Sequence, residues 1–337
     1  MRISTSLSKR IIEASPGEVL NRFIARRRRM TLFFEDIVGE YVLECERGGF
    51  GSELADLSRK WAELTLDRLT PHSIRQLPPG LVVRYLLSKT WSNLGIVDRL
   101  SLQEDGGVVE LRTRNESITR VIGGNLFMAG FFNGTVNALF GRRSELLDYS
   151  QSKESCLYRF SVGEEPLAVE GKSKKEYNRL NSMKPIEGFT LNEAVKKGVF
   201  NLRNGRELFF RDRRVTLTEN TMFHLAGNSG LLLDRVSGIS HDFFREVVDE
   251  RVTAEKKLLL LKNLLQCMGW GVVRFLMEGD TIIMKIKNPP FGLQDERDNW
   301  GFLSKTIQGY LWLVDEGYLL ETVGDSETNL VIKYFLD

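Results

Sequence analysis

The sequence predicts a duplicated α+β chain, in which one order of strand, helices, hairpin, helix and strand occurs twice within 337 residues. Three observations predict it. Shifted by 174 positions, Leu86-Leu87-Ser88-Lys89 aligns with Leu260-Leu261-Lys262-Asn263, and without a gap Gly95 falls on Gly269, Leu102 on Leu276 and Glu104 on Glu278. In both copies a helix-like apolar segment stops at that glycine, as a left-handed helix cap requires, and two strand-like runs follow, at 96–102 and 108–112 and at 272–277 and 281–287. Glu104-Asp105-Gly106-Gly107 and Glu278-Gly279-Asp280 between them supply residues that tolerate positive φ, so each pair reads as a β-hairpin.

Taken in order, the elements divide the chain at 1–28, 29–163, 164–205 and 206–337. The first segment is an amphipathic, basic arm with Ile11, Ile12, Val19, Leu20, Phe23 and Ile24 ahead of Arg26-Arg27-Arg28-Arg29. The first copy opens on Arg28-Arg29-Met30-Thr31-Leu32, which matches Arg213-Arg214-Val215-Thr216-Leu217 at the head of the second. The uncharged run 121–141 has the length of a membrane span. On a helical wheel, however, Asn125, Asn133 and Asn137 share one side and Phe127, Met128, Phe131 and Phe132 the other, so it reads as a core helix. Its counterpart is the helix 302–314 around Gly309, and alternating strands at 157–162 and 330–336 close the copies. Between them, 164–205 mixes Lys, Arg and Glu with Ser, Asn and Gly, a linker with one short helix near 191–200.

Charge and cysteine content exclude several classes. The net charge of +2 creates no overall field for nucleic acid. Residues 1–30, however, hold eight cations against Glu13 and Glu18, an arm of +6 on a body of −4. Four consecutive arginines can bind nucleic-acid phosphates or an anionic membrane surface, but a solvated edge leading into the domain is the favoured reading, supported by Arg211-Asp212-Arg213-Arg214 at the same place in copy two. Cys45, Cys156 and Cys267 are too few and too dispersed for a disulfide framework, and the start of the chain lacks a secretory pattern, so a cytoplasmic location is expected. His72, His224 and His241 stand alone, and neither a hydrolase elbow nor a phosphate-loop lysine is present.

Phe127-Met128-Ala129-Gly130-Phe131-Phe132-Asn133-Gly134, then Ala138-Leu139-Phe140-Gly141-Arg142 and Glu154-Ser155-Cys156-Leu157-Tyr158-Arg159-Phe160, resemble the closing half of the 4-vinyl-reductase domain family. Copy one fits the family's order of elements and copy two fits it more loosely. The resemblance implies a small antiparallel sheet covered on one face by helices, the fold of the TRAPP vesicle-tethering subunits, with haem-based nitric-oxide sensors distantly similar. Because family domains pair, it implies a pseudo-dimer within one chain and leaves a homo-oligomer open. It also implies a metal, zinc, held through Cys156; Asp148 stands where many members have a second cysteine, and the terminal strand of copy two, 329–335, has no cysteine.

The expected function is non-enzymatic binding of a small hydrophobic ligand, reported to a protein partner. Phe127, Phe131 and Phe132 are the expected apolar lining, with Asn133, Asn137 and Tyr149 as orienting polar contacts. Trp300, Phe302, Tyr310 and Trp312 crowd the matching helix of copy two. A scaffold that assembles a complex through its TRAPP-like surfaces and basic arm is the alternative. A tetrapyrrole-related reductase or accessory protein rests on the family name alone; the cofactor is left unknown.

Overall fold

The computed structural model describes residues 2–6, 11–15, 28–69, 74, 76–171, 190–204, 207–326 and 328–337. In chain order the first half runs β1 (Arg2–Ser6), β2 (Ile11–Ser15), β3 (Arg28–Phe34), α1 (Glu35–Arg47) and α2 (Gly51–Leu69). It continues through α3 (Pro79–Val82), a π-helical turn (Val83–Leu87), α4 (Ser88–Leu94), β4 (Arg99–Asp105), β5 (Val108–Arg114), α5 (Thr119–Ile122), α6 (Leu126–Phe140), β6 (Arg142–Gln151) and β7 (Ser155–Pro166). The second half runs α7 (Leu191–Lys196), β8 (Phe200–Arg203), β9 (Glu207–Phe210), β10 (Arg213–Glu219), α8 (Thr221–Ser229), α9 (Leu233–Val247) and α10 (Ala254–Cys267). It ends with β11 (Val272–Glu278), β12 (Thr281–Lys287), α11 (Gly301–Leu311), β13 (Tyr318–Asp325) and β14 (Asn329–Leu336). The expected α+β class is therefore observed.

The described strands form three antiparallel sheets. A six-stranded sheet, β1-β2-β3-β10-β9-β8, has Leu32 opposite Leu217 at its centre. Two four-stranded sheets have the orders β4-β5-β7-β6 and β11-β12-β14-β13. Each hairpin forms where the turn residues place it, Gly106 and Gly107 taking φ of 57° and 82° and Gly279 taking 59°. Strand alternation turns Leu111, Tyr158 and Phe160 inward while Arg112 and Arg159 face out.

Two expectations change. The arm does not stand apart, because β2 pairs with β3 and β1 with β2, making residues 2–6 and 11–15 part of the central sheet. Likewise the segment read as a linker contributes β8, which pairs with β9, after a short helix held by the reciprocal Thr190–Glu193 capping box. The apolar run 121–141 is divided as well. Helix α5 ends at Gly123 with φ of 86°, and Asn125 starts α6 by accepting from Met128 N at 2.8 Å. Among the described residues, no helix is long and apolar enough to cross a membrane.

Helix α6 is buried on every side, not only on its phenylalanine side. Its asparagine side is covered by α2 and β6, and Gly134 lets the α2 backbone approach so closely that a methyl group there would overlap the Arg59 carbonyl oxygen. Gly309 in α11 stands in the same relation to the Ser237 carbonyl of α9.

Candidate functional site

The expected lining residues do meet. Phe127, Phe131 and Phe132 are buried on α6, and the Phe131 ring lies 4.7 Å from Trp61, 5.1 Å from Trp91 and 5.4 Å from Phe132 between centroids. Phe132 continues the contact to Tyr158 at 5.0 Å, so these rings fill the space between α2, α4, α6 and the sheet with one another. Trp61 Nε1 and Thr65 Oγ1, one helical turn apart on α2, are buried without a hydrogen-bond partner among the described residues.

The expected polar contacts are directed elsewhere. Asn133 Nδ2 donates to Ser144 O at 3.0 Å, and Asn137 Nδ2 donates to Glu63 Oε1 at 2.7 Å while its oxygen accepts from Ser144 N at 2.7 Å. Together they fasten α6 to β6 and α2. Tyr149 is 42% exposed and stacks on Tyr158 at 6.4 Å.

Cys156 and Asp148 are not brought together, because strand alternation puts them on opposite faces of one sheet. Asp148 pairs with Arg159 at 3.4 Å on the exposed face, while Cys156 is buried on the inner face beside Glu116. Burial, reinforced by the Glu116 charge, pushes the Cys156 thiol up to about 12, as for a protonated thiol packed in a core. Glu116 is itself raised by burial and accepts from Tyr158 Oη at 2.8 Å and from Thr119 Oγ1 at 2.7 Å. Thr113 also donates to it, and Gln151 Nε2 donates to Tyr158 Oη at 2.7 Å. Among the described residues, no group of three His, Cys, Asp or Glu side chains is placed to hold a metal.

His224 is buried against the 288–299 loop, its Nδ1 accepting from Asn299 N at 3.1 Å. Arg26 and Arg27 of the arginine run, and His72, lie outside the described residues; Arg28 and Arg29 open β3.

Sequence reasoning did not find the apolar cavity between the two halves. It has a volume of about 50 Å³ and lies where β3 and α1 meet α8, α10 and α11, walled by Phe34, Ile37, Phe223, Leu264, Trp270 and Phe302 among others. Its walls are drawn from both halves of the chain, from positions more than 180 residues apart, which a single segment's periodicity does not display. Phe302 was the one available signal.

Compared with known proteins, the chain matches no family model and no curated protein sequence.

Proposed function

We propose that the chain is a tandem 4-vinyl-reductase-like protein, folded as a pseudo-dimer, that binds a small apolar molecule without transforming it and signals occupancy to a protein partner. The observation that carries the binding reading is the cavity of about 50 Å³, whose walls are almost wholly apolar. Such a space stays dry and gains by admitting an apolar guest; an engineered apolar cavity of about 150 Å³ takes up benzene. A guest of that size needs about three times this volume, so α10 and α11 must move apart to admit it, and that displacement would carry occupancy to the sheet β11-β12-β14-β13.

The pseudo-dimer reading is supported at the central strand pair. The matching segments Arg28–Leu32 and Arg213–Leu217 are 185 residues apart, and Leu32 lies opposite Leu217, its own counterpart. A two-fold axis at that pair relates Thr31 to Thr216 and Glu35 to Asn220. The side-chain bonds obey it: Thr31 Oγ1 donates to Asn220 Oδ1 at 2.5 Å and Thr216 Oγ1 donates to Glu35.

Native mass spectrometry of protein purified from its own host is expected to show a retained apolar molecule, lost in Leu264→Phe, which fills the cavity. Wild-type protein without any retained mass, or retention untouched by Leu264→Phe in a folded variant, overturns the reading.

A further inference from the structure

The exposed face of the sheet β4-β5-β7-β6 carries an open groove of about 800 Å³. Its register sets Arg99 opposite Arg114 and Arg114 opposite Ser155, and in the next row Ser101, Arg112, Leu157 and Ser150 lie side by side. Three guanidinium groups and three serine hydroxyls therefore line one concave surface. Arg99 and Arg114 are cross-strand neighbours of like charge, an arrangement that weakens a sheet unless something else is gained. Neither makes an ion pair among the described residues; Arg112 pairs with Glu110 at 2.6 Å. Asp98, the carboxylate next to Arg99 in sequence, is turned to Asn115 Nδ2 at 2.7 Å. Glu154 and Lys153, both exposed at the β6–β7 turn, offset each other at the groove's end.

Planar guanidinium forks and hydroxyl donors are the groups that grip phosphate oxygens. An exposed aromatic ring stands on the segment that packs along the edge strand β4. Ser88 lines the groove and accepts from Leu100 N at 3.2 Å, and three residues before it, on the π-helical turn packed against β4, Tyr85 has 66% of its surface exposed and the Arg84 guanidinium 5.3 Å from its ring centroid. An aromatic platform next to a cationic channel is how single strands are held independently of sequence. A lipid surface would instead be met by projecting aliphatic side chains; the groove's aliphatic lining residues do not project, Leu100 being buried and Leu157 half-buried.

We propose that this groove binds single-stranded nucleic acid, with Arg99, Arg112 and Arg114 on consecutive phosphates and Tyr85 stacked on a base. The site is separate from the apolar cavity and does not depend on it. The second strand of the other outer sheet, β12, carries Lys285 and Lys287 at adjacent exposed positions, so related chemistry is present there in weaker form.

The test is fluorescence anisotropy of the full chain with a labelled twelve-nucleotide oligo(U). Three phosphate contacts on a single strand give a log–log salt slope of about −2, an affinity loss of about 20-fold between 50 and 200 mM salt. Arg114→Ser is expected to reduce the slope to about −1.4. The triple replacement Arg99→Ser, Arg112→Ser, Arg114→Ser should abolish saturable binding with the circular dichroism spectrum unchanged. Tyr85→Ala should weaken binding about tenfold, and Tyr85→Phe should restore it. Binding that survives the triple replacement, which would place it on the arginine run of the arm, overturns the proposal. So does capture by phosphatidylserine vesicles with no binding of the oligonucleotide.

Discussion

Glu219 is buried at the end of β10, where both its oxygens accept from Thr221 N at 3.0 Å. Burial outweighs those bonds and pushes its carboxyl up to about 7, with the Asp298 charge adding to the rise. An unfolded glutamate titrates near 4.3, so the folded chain holds the proton more tightly. The stability this contributes is complete below about pH 4 and is lost as the pH rises through about 7. Glu219→Gln, always neutral, should match wild type at pH 4 and exceed it at pH 8 by on the order of 3 kcal/mol. Urea midpoints at both values check this, and an equal offset at both would refute it. The residue scale is also where the sequence was hardest to interpret. Asn133 and Asn137 stand out as polar residues on an apolar helix, but the groups that occupy them, Ser144 and Glu63, lie on other elements, and Glu63 is 74 positions from Asn137.

Helix α6 and its contact with α2 show how far an element can be read from sequence. The apolar run, the asparagine cap and the closing glycine are local, and they specify a helix without reference to anything else. What the run does not state is that both of its sides are covered. That follows from Gly130 and Gly134, where added methyl groups would strike the Ala55 and Arg59 carbonyl oxygens of α2. Gly134→Ala is therefore expected to destabilise the protein by about 3 kcal/mol, although alanine is the better helix former. Gly238 in α9 is the control, since among the described residues nothing lies within 4 Å of the position its methyl would take. Gly238→Ala should stabilise by about 0.5–1 kcal/mol. Thermal melting of the two variants checks the pair; a shift of the same sign in both would show that intrinsic propensity, not the interhelical approach, governs these glycines. The four- and five-residue strands β1, β2, β8 and β9 were not legible, because their order comes from pairing with the central sheet and not from any pattern of their own.

At the scale of the molecule, the central sheet decides whether the two halves fold separately. β3 and β10 are neighbours, so each half completes the other's sheet, and Leu32 N donates to Met268 O at 2.9 Å across the division. Behind this pair lies a buried charge. Glu35, 1% exposed, receives the guanidinium of Arg120 from its own half and the hydroxyl of Thr216 from the other, and Arg120 Nη2 also donates to Gly95 O at 2.7 Å. Arg214 of the second half stands 3.7 Å away, its own charge disfavoured by burial and by Arg120. Removing Arg120 takes from Glu35 its closest charged partner where water does not replace it, a cost of about 3 kcal/mol, the low end for a broken buried pair because Arg214 and Thr216 remain. Because Glu35 is held from both sides, that cost falls on both halves together. Arg120→Ala should therefore lower the urea midpoint while leaving one transition, seen alike by tryptophan fluorescence and by far-ultraviolet circular dichroism. Trp61 and Trp91 report from the first half and Trp270 and Trp300 from the second. Two separated transitions would mean that the sheet joins domains that fold alone, and a cavity walled by both halves would then open before the core of either was lost.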